Sequence, residues 1–576
     1  MADFYLGIDI GDGETSVAVL TEHAVAPLTV DLGCLHYSIL SAVGTAPDGS
    51  FVIGEDVLLK TDVKDRSVRF KSKFLKGTAN EDIVRFAKGL AEAIRQYSGL
   101  VAEGNTLYYA VGCPTGAGWT DPVRHAYADL IRMALPVPEM PVGESRAAFL
   151  YTNYSGSLGV SPELLEGSVL VVDMGSSTTD LAYVVGGRDE TRTMAEFGAA
   201  FLGGGLIDHA ILEHCVALHP QAEEIRQLFE REPSVRTACE IDARRLKEGY
   251  FTALREHKPF TGKTWEDLYC GRTAASHTSL KLFVTDEMMQ EILNRPLPDS
   301  GLSYLDTFAR QLETAVEKTK AAPPQLIILT GGASRMGFVG EMAAKYFPHA
   351  TIGACPEPEF SIAKGLAFAC RVDHRMKRFL SDVNGIMETG EFDRELDQAL
   401  PGLVERLCSA IVPHYVQKLF LPMAKTTEAG EPLRQALEKA TPDFFASEDV
   451  RRLIDHQLTD WMKSAMPNLK DRISRVCRSY SVDQSAIPVP RAENVQLRMP
   501  EVPIHFVINV LLTIPGVGSL VAGVMRKHYI ASAEKRLRED MLSRSGTFYM
   551  DFRTALKKCI KAEVDERARR VQIPIM

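Results

Sequence analysis

The sequence lacks several features that would assign it to familiar classes of protein. Its ten cysteines form no C-x-x-C pair, which argues against a zinc site or a disulfide framework and fits a reducing, cytoplasmic setting. No G-x-x-x-x-G-K-[ST] motif is present, so we expect no P-loop enzyme. No basic stretch precedes the first apolar run, and we therefore expect no signal peptide. Fixed-period repeats and low-complexity tracts are also absent.

The composition is that of a globular protein with several domains. The chain has 576 residues, of which 45% are hydrophobic and 24% charged, enough for about three or four domains. The net charge of −10 argues against binding to nucleic acid. The charge is unevenly spread, because residues 373–576 contain 31 Lys and Arg against 27 Asp and Glu. An acidic first part and a slightly basic second part indicate two regions with different roles.

Residues 1–372 alternate between strand and helix patterns. Phe4–Ile10 and Ser16–Leu20 are β-rich runs joined by a glycine turn, and they predict a hairpin. Val169–Asp173 and Leu181–Val185 predict a second hairpin, and Leu326–Leu329 predicts a buried strand. We expect two α/β lobes, residues 1–165 and 166–372, each opened by a hairpin.

Both hairpin motifs place an Asp before a turn of small residues. The first, Gly7–Ser16, has Asp9 at the end of its strand, and the second, Val172–Asp180, has Asp173 there, about 165 positions later. Such a turn can bring backbone N–H groups to a phosphate chain, while the carboxylate holds Mg²⁺ through water. A plain turn is the alternative for either motif alone. Two such hairpins, each opening an α/β lobe, favour a phosphate site.

A third motif follows the buried strand. Thr330-Gly331-Gly332-Ala333-Ser334-Arg335 contains glycines that let the backbone approach a flat ligand, and Arg335 can stack on a base. The alternative is a strand-to-helix turn with a solvated arginine.

With the three motifs in this order, residues 3–372 resemble the actin, sugar-kinase and heat-shock ATPase superfamily, in particular the nucleotide-binding domain of DnaK-type heat-shock chaperones. Four further segments carry the resemblance: Val142–Tyr151, Gly203–Asp208, Ser279–Glu287 and Pro356–Gly365. The resemblance implies a two-lobed actin-like fold of ribonuclease H-like repeats that binds ATP or ADP with Mg²⁺. Slow hydrolysis to ADP and phosphate, coupled to a conformational switch, is the activity that it implies.

The resemblance also implies roles for individual residues. Asp9 and Asp173 would hold hydrated Mg²⁺, and Glu144 would help to place the attacking water. Lys71 would be the catalytic lysine, with Lys73 as the alternative. The residues implied around the phosphates are Gly11, Asp12, Gly13, Gly175, Ser176, Ser177 and Thr178, and those implied around the adenosine and its adjoining turns are Gly204, Arg244, Lys247, Gly331, Gly332, Ser334 and Arg335. For Lys71, Arg244 and Lys247, a solvated surface charge is the alternative.

Two departures from the DnaK pattern affect the phosphate turns. Asp12 and Gly13 stand where DnaK-type proteins carry a Thr pair, and a carboxylate near phosphates is repulsive unless it is bound to metal. Ser176 and Ser177 replace glycines of the second turn. We expect these changes to affect hydrolysis more than ATP binding.

The resemblance ends near residue 372. Residues 373–480 predict a helical domain with turns near Asn384-Gly385, Gly390, Gly430 and Pro442, and no β-sandwich follows. Residues 481–576 predict a connector, an uncharged apolar segment at 502–525 and a charged C-terminal helix. We expect the apolar segment to form a buried helical hairpin; a membrane-associating or partner-binding segment and a true span are the alternatives.

Three hypotheses of function follow. The first is a cytoplasmic ATP-dependent switch whose divergent helical effector domain, residues 373–576, binds a protein partner or client. The second is an actin-like protein that self-assembles into filaments under the control of ATP. The third is a nucleotide-binding scaffold that does not hydrolyse ATP.

Overall fold

The chain forms two compact units, one built from Met1–Asp373 and one from His374–Pro574. The structure is a computed structural model. It describes residues 2–33, 35–116, 118–156, 158–185, 192–199, 202–260, 265–269, 279–298, 300–428, 430–465, 467–484, 487, 508, 526–541, 547–571 and 573. The division between the units falls within the helix Pro358–Glu388.

The first sheet of the N-terminal unit is built on the predicted hairpin. Asp3–Ile10 pairs antiparallel with Glu14–Thr21 and parallel with Thr106–Cys113. The strands Leu28–Thr29, Ser38–Leu40 and Val142–Gly143 complete this sheet. Leu6, Ile8 and Ile10 enter one core, whereas Tyr5 enters another, because successive side chains point to opposite faces of a strand. The predicted hairpin is confirmed, and Thr106–Cys113 supplies the parallel strand beside it.

The second sheet repeats this arrangement. Ser168–Met174 pairs antiparallel with Thr179–Val185 and parallel with Leu326–Thr330. The strands Arg192–Ala199 and Thr351–Ala354 form its edges. Five consecutive residues of Leu326–Thr330 are buried, as expected for a parallel strand that is covered on both faces. The second predicted hairpin and the buried strand are confirmed, so each sheet contains one hairpin with a parallel strand beside it.

Helices and short strands surround the two sheets. The helices of the unit, in addition to Pro358–Glu388 and a 3₁₀ turn at Gly332–Arg335, are Asp56–Leu59, Phe70–Leu75, Asn80–Tyr97, Asp121–Arg132, Glu144–Ser155, Pro162–Glu166, Gly204–Ala217, Ala222–Arg231, Pro233–Arg255, Asp286–Asn294, Tyr304–Lys318 and Gly337–Tyr346. The remaining strands are Ala42–Thr45, Phe51–Ile53, Lys64–Val68, Trp265–Tyr269 and Ser279–Leu282. Two helices begin immediately after strands and carry candidate catalytic residues, Lys71 on Phe70–Leu75 and Glu144 on Glu144–Ser155.

The described elements of the C-terminal unit are all helical. After Pro358–Glu388 they are Gly390–Tyr415, a π-helical turn at Val416–Phe420, Leu421–Thr426, Glu431–Ala446, Glu448–Ala465, Pro467–Ser479, Arg526–Met541 and Thr547–Arg569. Their apolar side chains form one core, which contains Phe392, Leu403 and Val404 of the helix Gly390–Tyr415.

Two predicted turns in this unit are wrong. The helix Pro358–Glu388 continues through Asn384-Gly385, because Val383 and Met387 are fully buried and the Asn384 side chain donates to Asp565 at 2.8 Å. Tertiary packing therefore outweighs the low helix propensity of Asn-Gly.

The second wrong turn is at Pro442, which lies inside the helix Glu431–Ala446. Buried Thr441 hydrogen-bonds to Tyr415 at 2.7 Å and donates to the carbonyl of Leu437 at 2.7 Å. These contacts fix the helix on the N-terminal side of the proline, where a proline would otherwise favour a break.

About half of residues 481–576 lie outside the described residues, so the predictions for this part of the chain are tested only in part. The connector lies largely, and the apolar segment 502–525 apart from Ile508 wholly, outside the described residues, so both stay predictions. The predicted charged helix is described as Arg526–Met541 and Thr547–Arg569, on either side of residues 542–546, which lie outside the description. Among the helices that the structure describes, none has the length and apolar content that crossing a bilayer requires.

Candidate functional site

The two hairpin turns meet at one cavity in the N-terminal unit. The cavity has a volume of about 410 Å³ and is lined by the first hairpin, the second hairpin, the helix of Lys71 and the turn after Leu326–Thr330. The predicted residues that line it are Asp9, Gly11, Asp12, Lys71, Glu144, Asp173, Gly175, Ser176, Ser177, Thr178, Gly204, Arg244, Lys247, Gly331, Gly332 and Arg335. Gly13, Ser334 and the alternative lysine, Lys73, are not in the lining.

Gly13 lies where the two turns approach each other most closely. A Cβ at this position would stand 3.1 Å from the Ser176 hydroxyl and 3.1 Å from the Arg244 guanidinium. The glycine therefore lets the first turn pack against the second and does not itself face the cavity. Ser334 is buried in the 3₁₀ turn Gly332–Arg335.

Asp12 ties the first hairpin to the helix that carries Lys71. One of its carboxylate oxygens accepts a hydrogen bond from the Ser72 backbone N–H at 2.9 Å, and the other accepts one from the Ser72 hydroxyl. Both carboxylate oxygens of Asp12 are therefore engaged by Ser72, which gives the carboxylate a structural role in the turn.

Lys71 and Glu144 form a buried ion pair beside the first hairpin. The Lys71 Nζ lies 2.5 Å from a Glu144 carboxylate oxygen and donates to the Ile10 carbonyl at 2.8 Å. Burial alone would lower the pKa of Lys71, but the negative charges of Glu144 and Asp9 outweigh it and raise that pKa. Lys71 is therefore a fixed cation and not a solvated surface charge.

The second hairpin brings two carboxylates face to face. Asp173 and Asp180 are opposite each other in the antiparallel register, and both side chains are buried. The Oδ2 atom of Asp180 is buried with no hydrogen-bond partner. The sequence pattern alone gave Asp180 no role. Asp173 and Asp180 lie at symmetric positions on either side of the turn, and this symmetry is the signal that predicts their pairing.

The carboxylates around the cavity raise one another's pKa. Burial, followed by the charge of Glu144, raises the pKa of both Asp9 and Asp180 to about 7. Burial, followed by the charges of Glu144, Asp180 and Asp9, also raises the pKa of Asp173 well above its ordinary value. Among the described residues, the lysine paired with this group of four carboxylates is Lys71, through Glu144, so the group has more acidic than basic side chains and favours a cation.

The donor set fits hydrated Mg²⁺. Oxygen ligands are those that Mg²⁺ prefers, and it usually keeps several of its waters. Within the described ranges, no three His, Cys, Asp or Glu side chains form a group that could hold a metal ion directly. Carboxylates that contact the ion through its water shell, with the remaining positions open to phosphate, are compatible with that finding.

Backbone contacts hold the second turn in place. The Gly204 N–H donates to the Gly175 carbonyl at 3.0 Å, and the Gly205 N–H donates to the Ser176 carbonyl at 2.7 Å. Gly331 has a φ of +77°, and a Cβ there would lie 2.4 Å from an Asp173 carboxylate oxygen. The turn after Leu326–Thr330 therefore needs glycine in order to fit against the carboxylate.

Three basic residues line the end of the cavity that was predicted to hold adenosine. Lys247 is buried, lies 2.6 Å from an Asp208 carboxylate oxygen and donates to the Gly204 carbonyl at 3.0 Å. Arg244 pairs with Glu14 at 2.9 Å, and Arg335 pairs with Glu359 at 2.8 Å. The two arginines thus have carboxylate partners at the cavity, while Lys247 supports the turn before the helix Gly204–Ala217.

Comparison with known proteins identifies the class to which the α/β unit is similar. No family model matches the chain. The mixed α/β sheets and the helices around them fit a heat-shock ATPase domain, and a sequence match over about half of the chain supports that similarity. The matching protein is a chaperone protein HscA homolog of Chromobacterium violaceum, 26% identical over 300 residues. The match covers 51% of this chain and 40% of that relative, so this chain spans less than half of the relative's length.

Proposed function

We propose that the chain is an ATP-binding, slowly ATP-hydrolysing switch protein of the DnaK type. Residues 1–372 would form its two-lobed ATPase domain, and residues 373–576 a divergent helical effector domain. The observation that carries the proposal is the buried Lys71–Glu144 pair at a cavity that two Asp-bearing hairpins share. The similarity to a protein named as a chaperone supports it.

Different groups of residues would bind the phosphates, hold Mg²⁺ and orient the attacking water. Turn N–H groups of both hairpins would bind the phosphates, and Asp9 and Asp173 would hold Mg²⁺ through its waters. Bound Mg²⁺ neutralises phosphate charge. Lys71 and Glu144 would orient the water that attacks the terminal phosphate, since the two side chains are already paired beside the cavity before the substrate binds.

The C-terminal unit would communicate the nucleotide state to a protein partner. Its described elements are helical, and its sequence is slightly basic where the N-terminal part is acidic. A helical unit with its own core can present a partner surface independently of the ATPase fold. We therefore place client or partner binding in residues 373–576.

The experiment that tests this proposal is ATP turnover by the full-length protein in Mg²⁺. We expect slow release of phosphate from the wild type and a loss of about 10–100-fold in Asp173→Asn, since weakened outer-shell ligands typically cost that much. Asp62→Asn, at an exposed carboxylate outside the cavity, is the matched control and should retain wild-type turnover. ATP binding without turnover would instead support a non-hydrolysing scaffold, and the absence of both would refute the proposal.

A further inference from the structure

Two aromatic rings lie beside the Lys71 ammonium, and one of them, Trp119, also lines the cavity. The Lys71 Nζ is 5.8 Å from the centroid of the Trp119 ring and 5.9 Å from that of the Tyr127 ring. Both distances fall within the range of about 6 Å in which a ring face attracts a cation. Trp119 precedes the helix Asp121–Arg132, and Tyr127 lies on it.

The rings are fixed by packing. Their centroids are 5.2 Å apart with an interplanar angle of 85°, an edge-to-face geometry that aromatic pairs prefer. Phe74, on the same helix as Lys71, packs against both, at 5.9 Å from Trp119 and 5.7 Å from Tyr127. Tyr127 is fully buried and Trp119 nearly so. The rings therefore form a rigid wall beside the lysine.

The hydrogen bonds of Lys71 do not fix its ammonium completely, so contacts with the two rings add a further restraint. An ammonium has three N–H donors, and the protein accepts two of them, through Glu144 and the Ile10 carbonyl. Lysine side chains have rotatable stems, so two hydrogen bonds do not fix the position of the ammonium completely. The attraction of a ring face for the cation restricts that position further.

The ring and the hydroxyl of Tyr127 can be tested separately, because the hydroxyl takes no part in the contact with Lys71. This oxygen is buried and has no hydrogen-bond partner in the described structure. An unsatisfied buried hydroxyl costs about 1–3 kcal/mol. The ring is thus the part of the residue that contacts Lys71, and replacing Tyr by Phe should preserve that contact while removing the unsatisfied oxygen.

We propose that Trp119 and Tyr127 are positioning residues that hold the Lys71 ammonium in the direction needed for ATP hydrolysis. The inference rests on the proposed function, because it assigns the third N–H of Lys71 to the water or phosphate in the cavity. It adds two residues to the site that neither the hairpin motifs nor the resemblance indicates.

The kinetic test compares three variants of the full-length protein. Tyr127→Leu and Trp119→Leu should each lower kcat about tenfold while the KM for ATP stays within about twofold, since misplacing a catalytic group affects the chemical step. Tyr127→Phe should keep kcat within about twofold and unfold at a higher urea concentration than the wild type. Unchanged kcat in both leucine variants, or an equal loss in Tyr127→Phe, would overturn the proposal.

A second test does not depend on hydrolysis. Lys71→Met and Tyr127→Leu should shift the urea midpoint non-additively when combined, because each removes one partner of the same contact. Lys71→Met with Phe74→Leu is the matched control and should be closer to additive, because Phe74 touches the rings and makes no cation–π contact with Lys71 among the described contacts. Additive shifts in both cycles would refute the contact, whereas an inactive wild type with a coupled Lys71–Tyr127 pair would refute only the proposed hydrolysis.

Discussion

The two hairpins of the N-terminal unit share a backbone design but differ at the position across from the first Asp. In the first hairpin Asp9 is opposite Ser16, and in the second Asp173 is opposite Asp180. The comparison shows that one backbone pattern can serve two tasks. The second hairpin sets two carboxylates across from each other, whereas the first sets Asp9 across from a hydroxyl and has two further cavity carboxylates, Asp12 and Glu14, in and next to its turn.

The turns of the two hairpins are also held in different ways. The first is tied by the side chain of Asp12 to Ser72, next to Lys71. The second is held by backbone N–H groups of Gly204 and Gly205. We infer that the first hairpin positions the lysine and that the second supports the metal-binding carboxylates.

The largest effect should come from removing the lysine of the buried Lys71–Glu144 pair beside the first hairpin. Lys71→Met leaves the buried Glu144 carboxylate without its partner, and removing one member of a buried pair typically costs about 3–5 kcal/mol. The free energy of unfolding, measured in urea, checks this. Lys71→Met combined with Glu144→Gln should recover most of the loss, and a double variant as unstable as Lys71→Met alone would contradict the account.

The second prediction concerns Gly331, whose turn packs against Asp173 of the second hairpin. Gly331→Ala forces a side chain into a left-handed backbone conformation and against Asp173, so it should destabilise the protein by about 1–3 kcal/mol and weaken ATP binding. Gly332→Ala is the control for stability, since nothing lies within 4 Å of a Cβ at that position. Thermal unfolding and nucleotide titration measure the two effects of Gly331→Ala, and an equal loss of stability in Gly332→Ala would contradict this role of Gly331.

The third prediction concerns the residues across from the two Asp side chains. Asp180→Asn should weaken Mg²⁺-dependent ATP binding by about tenfold, because it removes a charge that supports the ion. Ser16→Ala, at the equivalent position of the first hairpin, should change the affinity by less than about twofold. Titration of Mg²⁺ at fixed ATP measures both. Equal effects would mean that the two hairpins are not specialised.

The smallest effect should come from the tie between Asp12 and Ser72. Asp12→Ala removes both hydrogen bonds and should cost about 1–2 kcal/mol, whereas Ser72→Ala removes only the one from its hydroxyl and should cost about 1 kcal/mol. The double variant should cost little more than Asp12→Ala alone, because the hydrogen bond that Ser72→Ala removes is already lost in that variant. Ser176→Ala, in the turn of the second hairpin, should cost less than about 0.5 kcal/mol. Fully additive losses in the first pair would show that the tie does not couple the two residues.

The sequence predicts the hairpins and most of the cavity lining because these features are local. Asp9, Asp173 and the glycines of both turns lie within a few residues of the strands that position them. The tie between Asp12 and Ser72 spans sixty positions, and the contact of Lys71 with Tyr127 joins two separate helices. Such contacts depend on packing between distant segments, which no local spacing encodes.

The helix through Pro442 shows the same limit in the C-terminal unit. Proline disfavours a helix interior by its own chemistry, and the hydrogen bond from Tyr415 to Thr441 that holds the helix comes from a neighbouring helix. Local chemistry is therefore a sound guide to the first hairpin and a misleading one at Pro442.

The central claim is that the two hairpins, Lys71 and Glu144 form one Mg²⁺–nucleotide site. Calorimetric titration of the full-length protein with ATP, in Mg²⁺ and again in excess chelator, tests it most directly. The account predicts one ATP bound per chain in Mg²⁺, with affinity at least about tenfold weaker in chelator and in Asp173→Asn. Binding that is indifferent to both Mg²⁺ and Asp173, or no binding at all, would contradict it.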